Sequence, residues 1–400
     1  MENLRKTLGV SALVVFSVGC GLLTATPALP TVTAPPPSET PAPRPSVTPS
    51  QPAARQGLFD LFQTAKVTPA GNFRTGIFVR IGYVPGRDAM VVAFDTMLNG
   101  PEGDCGARGY AYREFNLDMA ATGEQGLINC YGGAMDTGGL FVGDDFYFAY
   151  QSGKPDGTMG WMLAKYDAVT WQPVVPPAYF GLEGLRDPGD PMIAEVNGRI
   201  DISSKIRTGV EGDPDCPYVA CWTHHQIFTT DLEWVGERIL KETIHVNLTS
   251  LVQTPDGTIH FLTATNLFGD MLVLQYKPDW TFVDAKTVKL RSATPEGVAF
   301  DGRRFYVAYT DVTLVEKLQN VHLAVFDTDW NLIDDIAVTS FVPEDRKAPA
   351  RPSLAMHNNR IYVCYDQAEQ SDVKTATTEE ADVQAYVKVY NIRPESNPSG

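Results

Sequence analysis

One unit recurs along this chain: a turn built on Gly, Asp or Asn, followed at once by a strand rich in aromatic and β-branched residues. It reads Gly143-Asp144-Asp145-Phe146-Tyr147-Phe148-Ala149-Tyr150, then Asn197-Gly198-Arg199-Ile200-Asp201-Ile202-Ser203. It returns as Asp256-Gly257-Thr258-Ile259-His260-Phe261-Leu262-Thr263, as Asp301-Gly302-Arg303-Arg304-Phe305-Tyr306-Val307-Ala308-Tyr309, and as Asn358-Asn359-Arg360-Ile361-Tyr362-Val363-Cys364-Tyr365. A looser first copy runs from Pro85 to Phe94. Asn-Gly and Asp-Gly favour positive φ and match the twist of paired strands, so each copy marks an expected tight hairpin. Ala93, Ala149, Ser203, Thr263, Ala308 and Cys364 are read as one equivalent position.

A second hairpin follows each first one, as in Val321–Trp330 and the outgoing Asn331–Thr339, with relatives ending at Trp171, Trp234 and Trp280. Four strands repeating about every fifty residues, with no helical period, predict an all-β, six-bladed propeller of four-stranded antiparallel blades. The recurrent tryptophans are expected to pack between blades. The sixth unit ends early, at Tyr386-Val387-Lys388-Val389-Tyr390 before Arg393-Pro394. Leu58–Val67 precedes the first blade without a partner, so it is expected to supply the missing strand and close the ring, which removes two sheet edges.

The N-terminus places the chain outside the cytoplasm. Arg5 and Lys6 precede the apolar stretch Leu8–Val18, which is too short to span a bilayer, and Gly19-Cys20 follows. Val18-Gly19-Cys20 resembles a bacterial lipobox, with Ser17 where a large aliphatic residue is usual. Residues 1–20 are read as a signal with Cys20 as the lipidation site, and ordinary signal cleavage or an uncleaved short anchor is the alternative. Residues 21–57 are a tether rich in Pro, Thr and Ala, extended because its prolines prevent collapse, and at about 3.1 Å per residue it reaches on the order of 100 Å. The propeller is expected over residues 58–393, with a polar tail at 394–400. The expected location is the outer membrane surface or the medium.

A formal net charge of −16, made one unit more negative by loss of the signal, argues against nucleic acid and against an anionic bilayer as partners. Membrane contact is therefore expected only through the N-terminal lipid. In an oxidising compartment, Cys105 and Cys130 are expected to form one disulfide worth roughly 3.5 kcal/mol, and Cys216 and Cys221 another worth about 2 kcal/mol. Cys216, Cys221 and His224 also fit part of a zinc site, but its ligand set is incomplete, so neither metal nor cofactor is expected. Cys364, mid-strand, is read as a buried free thiol.

Chemistry in a propeller sits where the innermost strands face the central channel. Counting back from each turn, Asp136 and Asp190 lie seven residues before it, as do Thr249 and Arg351, and Glu296 and Ser353 lie five before it. Odd offsets share a strand face, so Asp136, Asp190, Glu296 and Arg351 are expected at one channel mouth, with Arg74. Arg74, Arg351, Ser353 and Thr249 are the expected ligand-binding set. His224 and His225 are adjacent in a strand and must point to opposite faces.

Two of these strands resemble those of five-bladed propeller glycosidases of the arabinanase and xylosidase type. Asp190-Pro191-Met192-Ile193-Ala194 is similar to their Asp-Pro strand, and Pro295-Glu296-Gly297-Val298 to their Glu-Gly-Pro strand. The resemblance implies Asp190 as general base and Glu296 as general acid of an inverting hydrolysis. The family's third carboxylate falls near Asn247 or Thr249, so Asp136 would have to replace it and raise the pKa of Glu296. Val298 stands for the family's proline, and six blades stand for five. With that catalytic set incomplete, the first expectation is a tethered module that binds an envelope protein or glycan. The alternative is a glycoside hydrolase acting on polysaccharide.

Overall fold

The structure, a computed structural model, describes residues 57–68, 77–96, 108–131, 137–153, 159–180, 186–207, 222–240, 249–264, 270–290, 293–313, 318–369 and 382–393. These residues form six four-stranded antiparallel sheets. After β1 (Phe59–Lys66), blade 1 holds β2 (Ile77–Val84), β3 (Ala89–Thr96), β4 (Arg108–Phe115) and β5 (Ala121–Tyr131). Blade 2 holds β6 (Gly138–Val142), β7 (Asp145–Gly153), β8 (Met159–Asp167) and β9 (Pro173–Phe180). Blade 3 is β10 (Arg186–Val196), β11 (Arg199–Arg207), β12 (Trp222–Phe228) and β13 (Trp234–Leu240). Blade 4 is β14 (Ser250–Gln253), β15 (Ile259–Ala264), β16 (Met271–Tyr276) and β17 (Phe282–Val288). Blade 5 follows as β18 (Ala293–Phe300), β19 (Phe305–Thr313), β20 (Leu318–Phe326) and β21 (Leu332–Ala337), and blade 6 opens with β22 (Ala348–His357), β23 (Arg360–Glu369) and β24 (Asp382–Ile392). Its fourth, outermost strand is β1, antiparallel to β24 from Phe59↔Ile392 to Lys66↔Tyr386. The ring therefore closes between the two ends of the propeller, as expected, and Arg393 Nε clamps Asp60 Oδ2 at 2.6 Å beside the joint.

The innermost strands β2, β6, β10, β14, β18 and β22 contact one another in cyclic order. Pairing aligns them at one level: Arg80, Gly138, Met192, Ser250, Gly297 and Ser353 face Ala93, Ala149, Ser203, Leu262, Ala308 and Cys364 across the first hairpin of each blade. The fourth-blade equivalent is thus Leu262 and not Thr263; in this blade a larger apolar residue fills the place where the others put Ala, Ser or Cys. Alternate faces of the second strands fill the spaces between blades. Phe146 and Phe148 pack toward blade 1, for example, while Tyr147 and Ala149 pack toward blade 3. Gly138 is required because a Cβ there would strike the Pro191 carbonyl of the next blade.

Three first hairpins are the expected two-residue turns, at Gly143-Asp144, Asn197-Gly198 and Asn358-Asn359. Both residues of the last two have φ between 48° and 66°. The other three are longer. Asp256-Gly257 lies in a five-residue loop closed by a Thr254 N–Thr258 O bond of 2.9 Å. Asp301–Arg304 is a four-residue loop whose Asp301 carboxylate accepts the Arg303 and Arg304 N–H groups at 2.8 Å each. Pro85–Arg87 is a 3₁₀ turn.

The second hairpins share a tighter rule. Each turn puts one large apolar residue at φ 58–65°: Met119, Trp171, Leu232, Trp280 and Trp330. A bulky residue in this region is strained. Burial offsets the strain: Trp330 is 1% exposed and stacks on Phe305 at 4.1 Å, and burying such a ring is worth about 3 kcal/mol. Trp234 does not belong to this set. It begins β13, two residues past Leu232, and is 52% exposed.

Candidate functional site

Four innermost strands bulge just before the aligned level: β2 between Ile77 and Arg80, β10 between Gly189 and Met192, β18 between Pro295 and Gly297, and β22 between Ala350 and Ser353. A bulge adds a residue and re-aims the side chains beside it. In β18 the extra residue is Glu296 itself, since Pro295 pairs with Tyr309 and Gly297 with Ala308. By register Glu296 corresponds to Thr137, Pro191, Thr249 and Pro352, so it shares its level with Thr249 and lies one residue on from the level of Asp136, Asp190 and Arg351. The shared-parity argument from turn offsets therefore fails for this residue, because the loop after β18 is longer than a two-residue turn. The bulge supplies the missing step.

A cavity of about 140 Å³ opens at this level, and its wall includes Arg80, Met192, Asp201, Ser250, Glu296 and Ser353. Of the expected residues, Glu296 and Ser353 are thus on the wall. Thr249 is buried behind it, its hydroxyl 3.5 Å from that of Ser203. Arg351 is bound to Asp366, Nε to Oδ2 at 2.6 Å and Nη2 to Oδ1 at 2.9 Å. Asp190 lies in β10, but its side chain, like Asp136 and Arg74, is outside the described residues.

Glu296 is buried, and its carboxyl is pushed up to about 8, first by burial. Arg351 and Arg80 pull the value down, Asp366 pushes it up, and the Thr294 hydroxyl, donating to Oε1 at 3.1 Å, lowers it slightly. Oε2 has no partner. A like charge is supplied by Asp366, from the sixth blade, while Asp136, where sequence reasoning sought one, lies outside the described residues. Asp366 is raised as well, again chiefly by burial, and Arg351 opposes that rise.

Sequence reasoning also missed a pair in blade 3. Asp201 Oδ1 and His225 Nδ1 are 2.7 Å apart, and the two side chains are 2% and 0% exposed. The aligned place of Asp201 holds Val91, Tyr147, His260, Tyr306 and Tyr362 in the other blades, and that of His225 holds Tyr112, Leu163, Val273, Leu323 and Val387. A polar pair where other repeats are mostly apolar was the available signal. Its other atoms, Asp201 Oδ2 and His225 Nε2, have no partner among the described residues, and His225 packs against Trp280 at 4.8 Å. As expected, His224 points the other way, to Glu237 at 3.0 Å. Asp201→Ala strands a fully buried imidazole and is expected to cost about 3–5 kcal/mol in denaturant unfolding. A loss below about 1 kcal/mol would show that the pair carries no such load.

The cysteine expectations are partly met. Cys364 is a buried free thiol, raised well above its ordinary value by burial. Cys130 is disulfide-bonded; Cys20, Cys105, Cys216 and Cys221 lie outside the described residues. Among the described residues no cluster of His, Cys, Asp and Glu is arranged to hold a metal ion.

No protein-family model matches the chain, and no curated protein does either. Solved structures do. A sialidase from Trypanosoma rangeli, in complex with the inhibitor DANA, superposes with a TM-score of 0.53 at 12% identity, over 84% of this chain and 59% of that one. An exo-β-1,3-galactanase from Clostridium thermocellum gives 0.42 at 11% identity, over 63% and 58%. A GH43 protein from Bacillus licheniformis gives 0.42 at 12%, over 62% and 51%. The chain thus spans between about half and three fifths of the length of these proteins, and the likeness to the sialidase is one of fold. The chain is a six-bladed β-propeller whose neighbours in fold include a sialidase.

Proposed function

We propose that the propeller is a glycoside hydrolase that acts on polysaccharide, with Glu296 as general acid and Asp190 as general base. One observation carries this reading: a buried carboxyl group on the wall of the channel cavity, pushed up to about 8 by that burial, with one oxygen that has no partner among the described residues. An acid of this kind can give its proton to a glycosidic oxygen as the bond to the sugar breaks. Asp190, two blades away, would then act as the base, its carboxylate taking a proton from water attacking the opposite face of the ring, which inverts the anomeric centre. On the same wall the Ser353 hydroxyl would hydrogen-bond a sugar hydroxyl, and Ser250, whose own proton goes to the Pro295 carbonyl at 3.3 Å, would accept from one.

The signal and tether suit a substrate outside the cell: with Cys20 lipidated, the enzyme would stand off the membrane and reach envelope or surrounding polysaccharide. A hydrolysis screen on aryl glycosides and on plant and envelope polysaccharides tests the reading, with reducing-end release and anomeric configuration as readouts. Release with inversion supports it. Binding without release across the panel would instead favour a module that recognises an envelope glycan or protein.

A further inference from the structure

Phe78 in β2 and Arg351 in β22 occupy the same place in adjoining blades, two residues before Arg80 and Ser353 in the aligned level. Both have φ of 48°, a conformation that costs a bulky residue about 1–3 kcal/mol and persists only where surroundings impose it. The two strained residues meet. The Arg351 guanidinium lies 4.9 Å from the Phe78 ring centroid, and the Phe78 N–H donates to Asp366 Oδ2 at 3.2 Å. That carboxylate is 1% exposed and receives both donors of the Arg351 fork. One buried acid on β23 therefore fixes the guanidinium and ties blade 6 to blade 1 at the edge of the cavity. Such a pair is expensive to bury, so a role beyond stability is worth seeking. Among the described residues, the charged groups that act on Glu296 are Arg351 and Asp366 from blade 6 and Arg80 from blade 1, and Glu195 and Asp201 of blade 3 share the cavity wall. Arg80 is itself engaged, donating from Nη1 to the Val79 carbonyl at 2.8 Å.

We propose that Asp366 is a positioning residue for the channel acid: by holding Arg351 in a two-pronged pair, it keeps that guanidinium from closing on the unpartnered Oε2 of Glu296, which stays available as a proton donor. This rests on the reading of Glu296 given above. Removing Asp366 takes away a negative neighbour and releases a positive one, and both changes favour the ionised form of Glu296. Removing Arg351 does the reverse.

The test needs no substrate. Glu296 is titrated by carboxyl ¹³C NMR in the ligand-free protein, assigned by its loss in Glu296→Gln, for the native chain, Asp366→Asn, Arg351→Gln and the double variant. Asp366→Asn is expected to titrate at least about one pH unit lower than the native chain, Arg351→Gln higher, and the double variant between them. An unchanged or higher value in Asp366→Asn overturns the proposal. Should that variant fail to fold, an unchanged Glu296 in Arg351→Gln overturns it equally. The native value is a separate result: Glu296 titrating in the ordinary carboxylate range would remove the support for the hydrolase reading, whereas the differences among variants judge Asp366.

Discussion

Glu296→Gln is expected to leave the propeller folded and to lower turnover roughly 10²–10⁴-fold, the usual contribution of a positioned general acid. The amide matches the shape of the protonated carboxyl, and its oxygen can still accept from the Thr294 hydroxyl, but it has no proton to give. Stability carries a second signature. The folded-state pKa of Glu296 is raised to about 8 from 4.5, so the unfolded chain releases this proton more readily. The native protein then loses stability as pH climbs from about 4.5 towards 8, and below that window the penalty vanishes. The glutamine variant lacks this slope. Its unfolding midpoint should match the native one at pH 4 and exceed it at pH 8, measured by denaturant titration at both values. Full activity in the variant, or collapse of its fold, would contradict the assignment.

Deleting the chain through Lys66 is expected to lower the melting temperature by roughly 10 °C or more. The deletion removes seven aligned cross-strand pairs between β1 and β24. At about 0.2–1 kcal/mol each, they sum to several kcal/mol before the lost packing is counted, and each kcal/mol is worth about 2 °C in a domain of this size. Phe59 goes as well, and with it edge-on contacts to Tyr306 and Tyr390 that join blades 5 and 6. β24 would become an open edge, so the truncated protein should also associate at concentrations where the intact one does not. Equal melting of the two forms, read by circular dichroism, would show that the ring does not depend on this strand.

The blades and their closure were legible because both are written in local repetition. A turn and an aromatic strand recur, and the last copy stops one strand short while an unpaired strand waits at the other end. Counting by twos worked as far as the strands stayed regular. It failed at Glu296, because a bulge adds a residue that no alternation of side chains announces, and because Asp301–Arg304 looks like a short turn and is not one. Leu262 shows the same limit: its size hid its equivalence to Ala149 and Ala308, which only pairing reveals. The second hairpins were matched on their tryptophans, so Met119 and Leu232 went unseen and Trp234 was misplaced; packing between blades, not residue type, selects that position. The Arg351–Asp366–Phe78 cluster was beyond reach for another reason. Its members lie on three strands of two blades, and ring closure brings residues 78 and 366 together from opposite ends of the domain.

The hydrolase reading requires Glu296 and Asp190 to flank one sugar, and the separation of their carboxyl groups in a crystal of the Glu296→Gln protein with a bound oligosaccharide measures this directly. A distance of about 6.5–9.5 Å, with both groups at the same channel mouth and a water on the Asp190 side of the ring, is the expected result. Groups at opposite mouths, or separated by more than about 12 Å, could not act on one glycosidic bond with a single intervening water, and would contradict it.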